Sequence, residues 1–324
     1  MDIDFLLWLQ DLRTPLLDMV LEAVTDAVTG VAMYAVIAII YWCINKRAAT
    51  FVAVNIASGT MVNQALKNTF CIYRPWIRDP RVIPAGDAIT NATGYSFPSG
   101  HTQVAACEFL SVAVWQRKRK WVVILCSFLT LLVMFTRLYL GVHTPQDVLV
   151  SLLVSLVVIF VNSLLLKWVD GGKNRDIIFA AVGVVLGIAF LIYATFKPYP
   201  LDYDAAGGLL VDPVEMVIDC YSAAGCVFGF CAGWLLERRL VSLKTDGDIL
   251  VRVIRGAIGT VILALIALVA KDGIILLFGE HWGHLVFFFI AFVYILFLYP
   301  LAFSRVERMI KNKPKKPKKP ANKC

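Results

Sequence analysis

Three short stretches of this sequence carry side chains suited to binding and cleaving a phosphate ester. They are Lys67-Asn-Thr-Phe-Cys-Ile-Tyr-Arg74-Pro75, Pro98-Ser99-Gly100-His101, and Arg137 with His143 and Asp147 in TRLYLGVHTPQD. Cleavage needs cations and N–H donors around the phosphate oxygens while a nucleophile attacks in line, because charge develops on those oxygens in the transition state. Lys67, Arg74 and Arg137 are the cations on offer. Arginine's planar fork can hold two phosphate oxygens at once. Lys67 and Arg74 stand seven apart, so on a continuing helix they would share a face.

Ser99, Gly100 and His101 come just before an apolar segment. If that segment is helical, their backbone N–H groups are the unpaired donors of a helix start, which favour an anion. Gly100 would let a phosphate approach the backbone closely. Ser99 can cap the helix and also donate its hydroxyl. Pro145 suits the first position of the next helix. Asp147 lies one turn beyond His143 and can accept a hydrogen bond from its ring. That fixes the tautomer and leaves the other nitrogen free to attack. Taken singly, each stretch has a plain structural reading: a helix start, a polar interfacial histidine, a headgroup anchor at Arg137. Together on one membrane face they argue for phosphate chemistry.

The combination resembles the type 2 phosphatidic acid phosphatase superfamily. Its signature is Lys-x6-Arg-Pro, Pro-Ser-Gly-His and Ser-Arg-x5-His-x3-Asp; this chain has Lys67-x6-Arg74-Pro75, Pro98 to His101, and Thr136-Arg137-x5-His143-x3-Asp147. The one departure, Thr136 for serine, keeps a hydroxyl. The resemblance covers roughly residues 30–169. It implies a metal-free phosphatase with a phosphohistidine intermediate and no cofactor. His143 would be the nucleophile, Asp147 its orienting partner and His101 the general acid. Lys67, Arg74, Ser99, Gly100 and Arg137 would hold the phosphate.

The elements that must position these residues are apolar helices. Of the 324 residues, 59% are hydrophobic, and the mean hydropathy is +0.75. This composition indicates an all-α, polytopic transmembrane helical bundle. Apolar spans are expected at about 30–45, 51–70, 101–117, 121–140, 148–168, 177–195, 214–236, 251–270 and 284–303, nine in all. Four units follow: an N-terminal segment 1–29, the catalytic core 30–169, a four-span region 170–304 and a basic tail 305–324. Residues 1–29 read as an amphipathic helix lying in the membrane interface, with Asp18, Glu22 and Asp26 as an acidic stripe opposite Leu16, Leu17, Val20 and Leu21; a first transmembrane span is the alternative. The opening MDIDFLLWLQDL is acidic and does not read as a cleavable signal peptide.

The net charge is +8, gathered in short clusters between spans, which suits membrane topology better than a continuous nucleic-acid-binding face. Lys46-Arg47, Arg117 to Lys120, Lys167 with Lys173 and Arg175, Arg238-Arg239 with Lys244, and the lysine-rich tail all fall on one side. The positive-inside rule makes that side cytoplasmic, leaving all three motifs on the extracytoplasmic face of a cell membrane. Eight cysteines are present without metal-ligand spacing. Gly225, Gly229 and Gly233, like Gly183 and Gly187, form small-residue faces read as packing within the chain rather than a dimer contact. Glu215 and Asp219 are carboxylates near the outer start of a span, which pair with a cation such as Lys197 or Lys271 or carry protons; the plain alternative, favoured for Glu215, puts Glu215 in headgroup water and Asp219 in a hydrogen bond within the bundle. His281, Trp282 and His284 read as an interfacial aromatic element.

A membrane-embedded phosphatase with a bilayer lipid as substrate is the reading these features favour. A soluble sugar phosphate is an alternative substrate. A lipid or anion transporter is an alternative of another class, supported by Glu215, Asp219 and the four later spans. A binder needs the three cations but not the His143–Asp147 pair beside His101.

Overall fold

The computed structural model of the chain describes residues 2–29, 31–90 and 92–311, and every regular element among them is helical. The chain opens with α1 (Asp2–Asp11) and α2 (Pro15–Thr29). Helix α3 (Val31–Ile39) continues through a π-helical turn, Ile40–Ile44. Asn45 then caps α4 (Lys46–Phe70), its side chain accepting from the Ala48 N–H at 3.0 Å. After the short α5 (Pro75–Arg78) come α6 (Gly100–Trp115), α7 (Lys120–Tyr139), α8 (Pro145–Asp170), α9 (Arg175–Phe196) and α10 (Pro213–Leu236). Helices α11 (Ile249–Leu265), α12 (Lys271–Val293) and α13 (Tyr299–Lys311) complete the bundle.

Each of the nine expected apolar segments is helical. Among the described residues five stretches are long and apolar enough to cross a membrane, and the last of them, Ile249–Met309, is 61 residues long. That stretch folds back at Gly279, whose φ of 74° a glycine adopts freely. Gly283 then packs on Ile275. The loop expected over 271–283 is therefore helical on both sides of a one-residue reversal.

The bundle exposes apolar side chains, as a lipid environment demands, and buries a polar strip along α4 within a largely apolar core. Helix α4 packs against α6, α8 and α10. It buries Asn55, Asn63, Lys67 and Asn68. Asn55 donates to Ser111 of α6 at 2.8 Å, and Asn162 of α8 donates to Asn55 and Ser58, both at 2.8 Å. Phe128, Val157 and Val185 on α7, α8 and α9 point outward. The glycine faces pack within the chain, as expected. A Cβ on Gly225 or Gly229 would strike the Leu285 or Phe289 backbone, and one on Gly183 would strike Cys231 Sγ.

The motif residues lie at one set of helix ends, and the basic clusters at the other. At the basic end Lys46 pairs with Glu237 at 2.9 Å, and Arg238 with Asp170 at 2.9 Å. Residues 312–324, which hold most of the expected basic tail and Cys324, lie outside the described residues.

The N-terminal segment forms two helices, because Pro15 starts α2 afresh. Its acidic stripe faces the protein. Asp18 lies beside Arg13 and Tyr139, Glu22 lies against Gly86, and Glu22 and Asp26 are within electrostatic reach of Arg137. Leu16, Leu17, Met19 and Val20 are exposed.

Candidate active site

Helix termini position nearly every motif residue. Helix α4 ends at Phe70 because Cys71 takes a left-handed conformation with φ 49°, and its N–H closes on Lys67 O at 3.0 Å. Lys67 thus sits in the last turn of α4. Arg74 lies beyond the break, at the N-cap of α5 ahead of Pro75. The two cations do not share one helical face, as a continuing helix would have required. They meet because the chain turns back on itself.

Arg74 is the most heavily bonded of the cations. Its Nε donates to Gly94 O at 3.0 Å, Nη2 to Thr93 O at 2.9 Å and Nη1 to Val142 O at 3.0 Å. Nη1 also lies 2.9 Å from His143 Nε2. An arginine has only donors, so Nε2 must accept, and the His143 proton sits on Nδ1. That nitrogen is 3.4 Å from Asp147 Oδ2. The same Oδ2 accepts from Thr144 N at 2.7 Å, closing a capping box at the start of α8, and from Ser96 Oγ at 2.5 Å. Asp147 is held on three sides and in turn orients the ring.

His143 stands in the turn between α7 and α8, 1% exposed. Burial first, and the Arg74 guanidinium second, push its pKa well below the ordinary histidine value, so the imidazole is neutral at neutral pH. Burial and the neighbouring Arg137 pull Arg74 down to about 9, which still leaves it cationic.

Arg137, in the last turn of α7, is also 1% exposed. Its Nε and Nη2 have no hydrogen-bond partner among the described residues. Lys67 donates no side-chain hydrogen bond there either, although it is 5% exposed. Buried donors without acceptors are costly, and a bound anion would satisfy them.

Ser99 caps α6, accepting from the Thr102 N–H at 3.4 Å, and its own N–H reaches Asp147 O at 3.2 Å. The second motif is thereby tied to the third. Gly100 is the first residue of α6, and a Cβ there would meet only Asn63 Oδ1, at an ordinary 3.7 Å. His101 follows in the first turn, within electrostatic reach of Arg137, His143, Arg74 and Lys67. All eight expected residues are gathered at one end of four helices.

Several supporting residues carried no sequence signal of their own. Ser96 is fully buried between Asp147 and His143, its Oγ 3.4 Å from His143 Nδ1. Ser151 Oγ is within hydrogen-bond distance of Ser99 O at 2.9 Å and Asp147 O at 2.8 Å. It is four residues beyond Asp147, so helical periodicity alone could have placed it on the same face. Thr136 pairs with Thr25 of α2 at 2.5 Å.

Asp219 also has a different neighbour from those expected. Lys197 donates instead to Cys71 Sγ at 3.1 Å. Asp219 projects from α10 toward Lys67 and accepts from Gln64 Nε2 at 3.4 Å. His281 and Trp282 both make edge contacts with Tyr221.

Comparison with known proteins covers both halves of this arrangement. Residues 48–170 match the PAP2 superfamily, and residues 221–311 match the PAP2 superfamily phosphatase transmembrane extension. Phosphatidylglycerophosphatase B of Bacillus subtilis is 32% identical over 97 residues, 28% of this chain and 47% of the relative. Phosphatidylglycerophosphatase B of Escherichia coli K12 is 37% identical over 93 residues, 26% of this chain and 37% of the relative. Undecaprenyl-diphosphatase BcrC of Bacillus subtilis is 25% identical over 162 residues, 48% of this chain and 79% of the relative. The chain thus spans less than half the length of the two phosphatidylglycerophosphatases it matches. No solved structure matches it. The later helices, which carry none of the three motifs, are not outside the resemblance after all. With its motifs inside the first match and α10 to α13 largely inside the second, the chain belongs to the PAP2 superfamily and carries that superfamily's transmembrane extension.

Proposed function

We propose that this protein is an integral-membrane phosphatase that hydrolyses a lipid phosphate or diphosphate through a phosphohistidine intermediate. One observation carries the reading. Buried donors on Arg137 lack acceptors among the described residues, beside a neutral imidazole whose Nδ1 is held by Asp147. A site that only bound phosphate would need the cations but not the oriented histidine.

In this reading Lys67, Arg74, Arg137 and the first N–H groups of α6 hold the phosphate oxygens. Arg74 Nη1 passes its proton contact from His143 Nε2 to one of those oxygens. The freed lone pair attacks phosphorus in line, forming an N–P bond as the P–O bond to the alcohol breaks. His101 gives its proton to the departing oxygen. Water, deprotonated by the same His101, then cleaves the N–P bond and restores His143. The cations already meet the charge on phosphate, so no step calls for a divalent metal.

Similarity to enzymes named for phosphatidylglycerophosphate and undecaprenyl diphosphate supports a lipid substrate. The test is phosphate release by the purified protein from phosphatidate, phosphatidylglycerol phosphate, undecaprenyl diphosphate and glucose 6-phosphate, each with and without excess chelator. Faster release from the lipids, unchanged by chelator, is expected. Release from none of them, or strict dependence on added magnesium, overturns the proposal.

We further propose nine crossings of a cell membrane, with residues 1–29 at its interface, the site on the extracytoplasmic face and the tail in the cytoplasm. The segregation of basic clusters from motif residues at opposite helix ends supports this. A cysteine replacing the exposed Asp87, in a background without native cysteines, should react with an impermeant thiol reagent on intact cells. One replacing the exposed Arg119 should not. The opposite labelling rejects the orientation.

A further inference from the structure

The phosphate-handling residues come from the first half of the chain, yet one buried carboxylate beside them comes from the second. Asp219 lies on α10, two residues before the matched extension begins. Its titratable neighbours are Lys67, His284 and Arg74.

Gln64 and Lys67 of α4 lie beside it, and Asn68, on the same helical face, reaches the adjacent Cys220. Gln64 Nε2 donates to Asp219 Oδ2 at 3.4 Å, so its amide nitrogen points at the carboxylate. Gln64 Oε1 is buried and has no hydrogen-bond partner among the described residues. Asn68 is fully buried. Its Nδ2 donates to Gln64 O at 2.7 Å and lies 3.1 Å from Cys220 Sγ, which leaves Oδ1 as the oxygen without a partner. One face of α4 thus carries two amide oxygens without partners among the described residues, one on Gln64, which bonds Asp219, and one on Asn68, which contacts the neighbouring Cys220.

We propose that Asp219, Gln64 and Asn68 form an acceptor subsite that receives free hydroxyl groups on the alcohol side of the substrate phosphate. This rests on the phosphatase reading above and narrows its substrate class. Oxygen acceptors repel phosphate oxygens, so the subsite does not hold a second phosphoryl group. A hydrocarbon set against them would leave them unsatisfied. An ammonium group would sit beside Lys67 and Arg74 and be repelled. A neutral O–H donor satisfies the acceptors without adding charge. The favoured substrate is therefore a lipid phosphate monoester whose alcohol keeps a hydroxyl close to the ester, as a glycerol unit does. The carboxylate that selects it is supplied from beyond the catalytic motifs.

Phosphatidylglycerol phosphate and phosphatidate with the same acyl chains form a matched pair. The first carries an additional glycerol unit with a free hydroxyl, and the second does not. Wild-type protein should show the higher kcat/KM for the first. Asp219→Asn and, separately, Gln64→Leu should each shrink that preference by about tenfold. A site built to bond a hydroxyl discriminates strongly against analogues lacking it, and loses this when its acceptors are changed. Loss of folding or of electrostatic support for Lys67 would instead lower both activities in step. A preference ratio that moves less than about threefold in both variants overturns the subsite. Wild-type protein inactive on both lipids would overturn the phosphatase reading itself, which is a separate result.

Discussion

Replacing His143 by alanine should lower kcat for phosphate release by about three orders of magnitude or more, because losing a nucleophile usually costs that much. The protein should still insert and fold, since His143 occupies a turn whose helices are started and capped by other residues. Residual activity above about a tenth of wild type would remove His143 from the role. A companion measurement is the pH dependence of kcat/KM. Burial and Arg74 hold the imidazole neutral, so its folded pKa lies well below 6.5. Protonation removes the attacking lone pair. Activity governed by this group should therefore stay level through neutrality and fall only as pH drops through that lowered value. Stability follows the same sign. Below about pH 6.5 the unfolded chain binds a proton that folded His143 resists, so stability declines as pH falls. An acidic limb centred above pH 6.5 would contradict the neutral, buried histidine.

The second large effect separates two arginines. Arg137→Met keeps the apolar stem of a buried side chain but removes a guanidinium whose Nε and Nη2 bond to no acceptor among the described residues. It should cost about 10²–10³ in kcat/KM, the usual price of losing one donor to the transition-state charge, with little change in thermal midpoint. Arg74→Met should cause a similar loss and also lower the midpoint by several degrees. It would strip donors from Thr93 O, Gly94 O and Val142 O, which tie the long loop before α6 to the turn carrying His143. Activity and thermal unfolding in the same detergent check both. Equal destabilisation by the two variants would mean that Arg137 has a structural partner in solution. Activity retained in Arg137→Met would exclude it from phosphate binding.

The motif residues were legible in the sequence because helix ends are written locally. Ser99 before α6 and Pro145 opening α8 announce where backbone donors and His143 must lie. The end of α4 at Phe70 matches the end of its apolar span, but the turn that follows was not legible, since Cys71 takes a left-handed conformation at a position with no glycine to signal it. Ser96 and Thr25, and the partner of Asp219, were equally hidden, for another reason. Each meets the site across 51 or more residues of chain, as Ser96 does Asp147, and no local periodicity encodes such a partner. The stripe Asp18, Glu22 and Asp26 gave a polar face without a direction. In water such a face turns to solvent, whereas here it turns toward Arg13, Gly86 and Arg137. The later helices gave apolar segments and a carboxylate without a partner, because Asp219 meets Gln64 and Lys67 only when α10 lies against α4.

The glycine face of α10 also fixes an order of assembly during synthesis. Gly225, Gly229 and Gly233 are complemented by the stretch from Leu285 to Leu296, which leaves the ribosome about 60 residues later. At ~5–20 residues per second that delay is several seconds. All three motifs are then already made, while α10 waits with its notched side uncovered. A chain ending before Leu285 would contain every motif residue and still lack the wall against which α10 settles. Closure of that face of α10 thus waits on the last hairpin, although the three motifs were all made well before it.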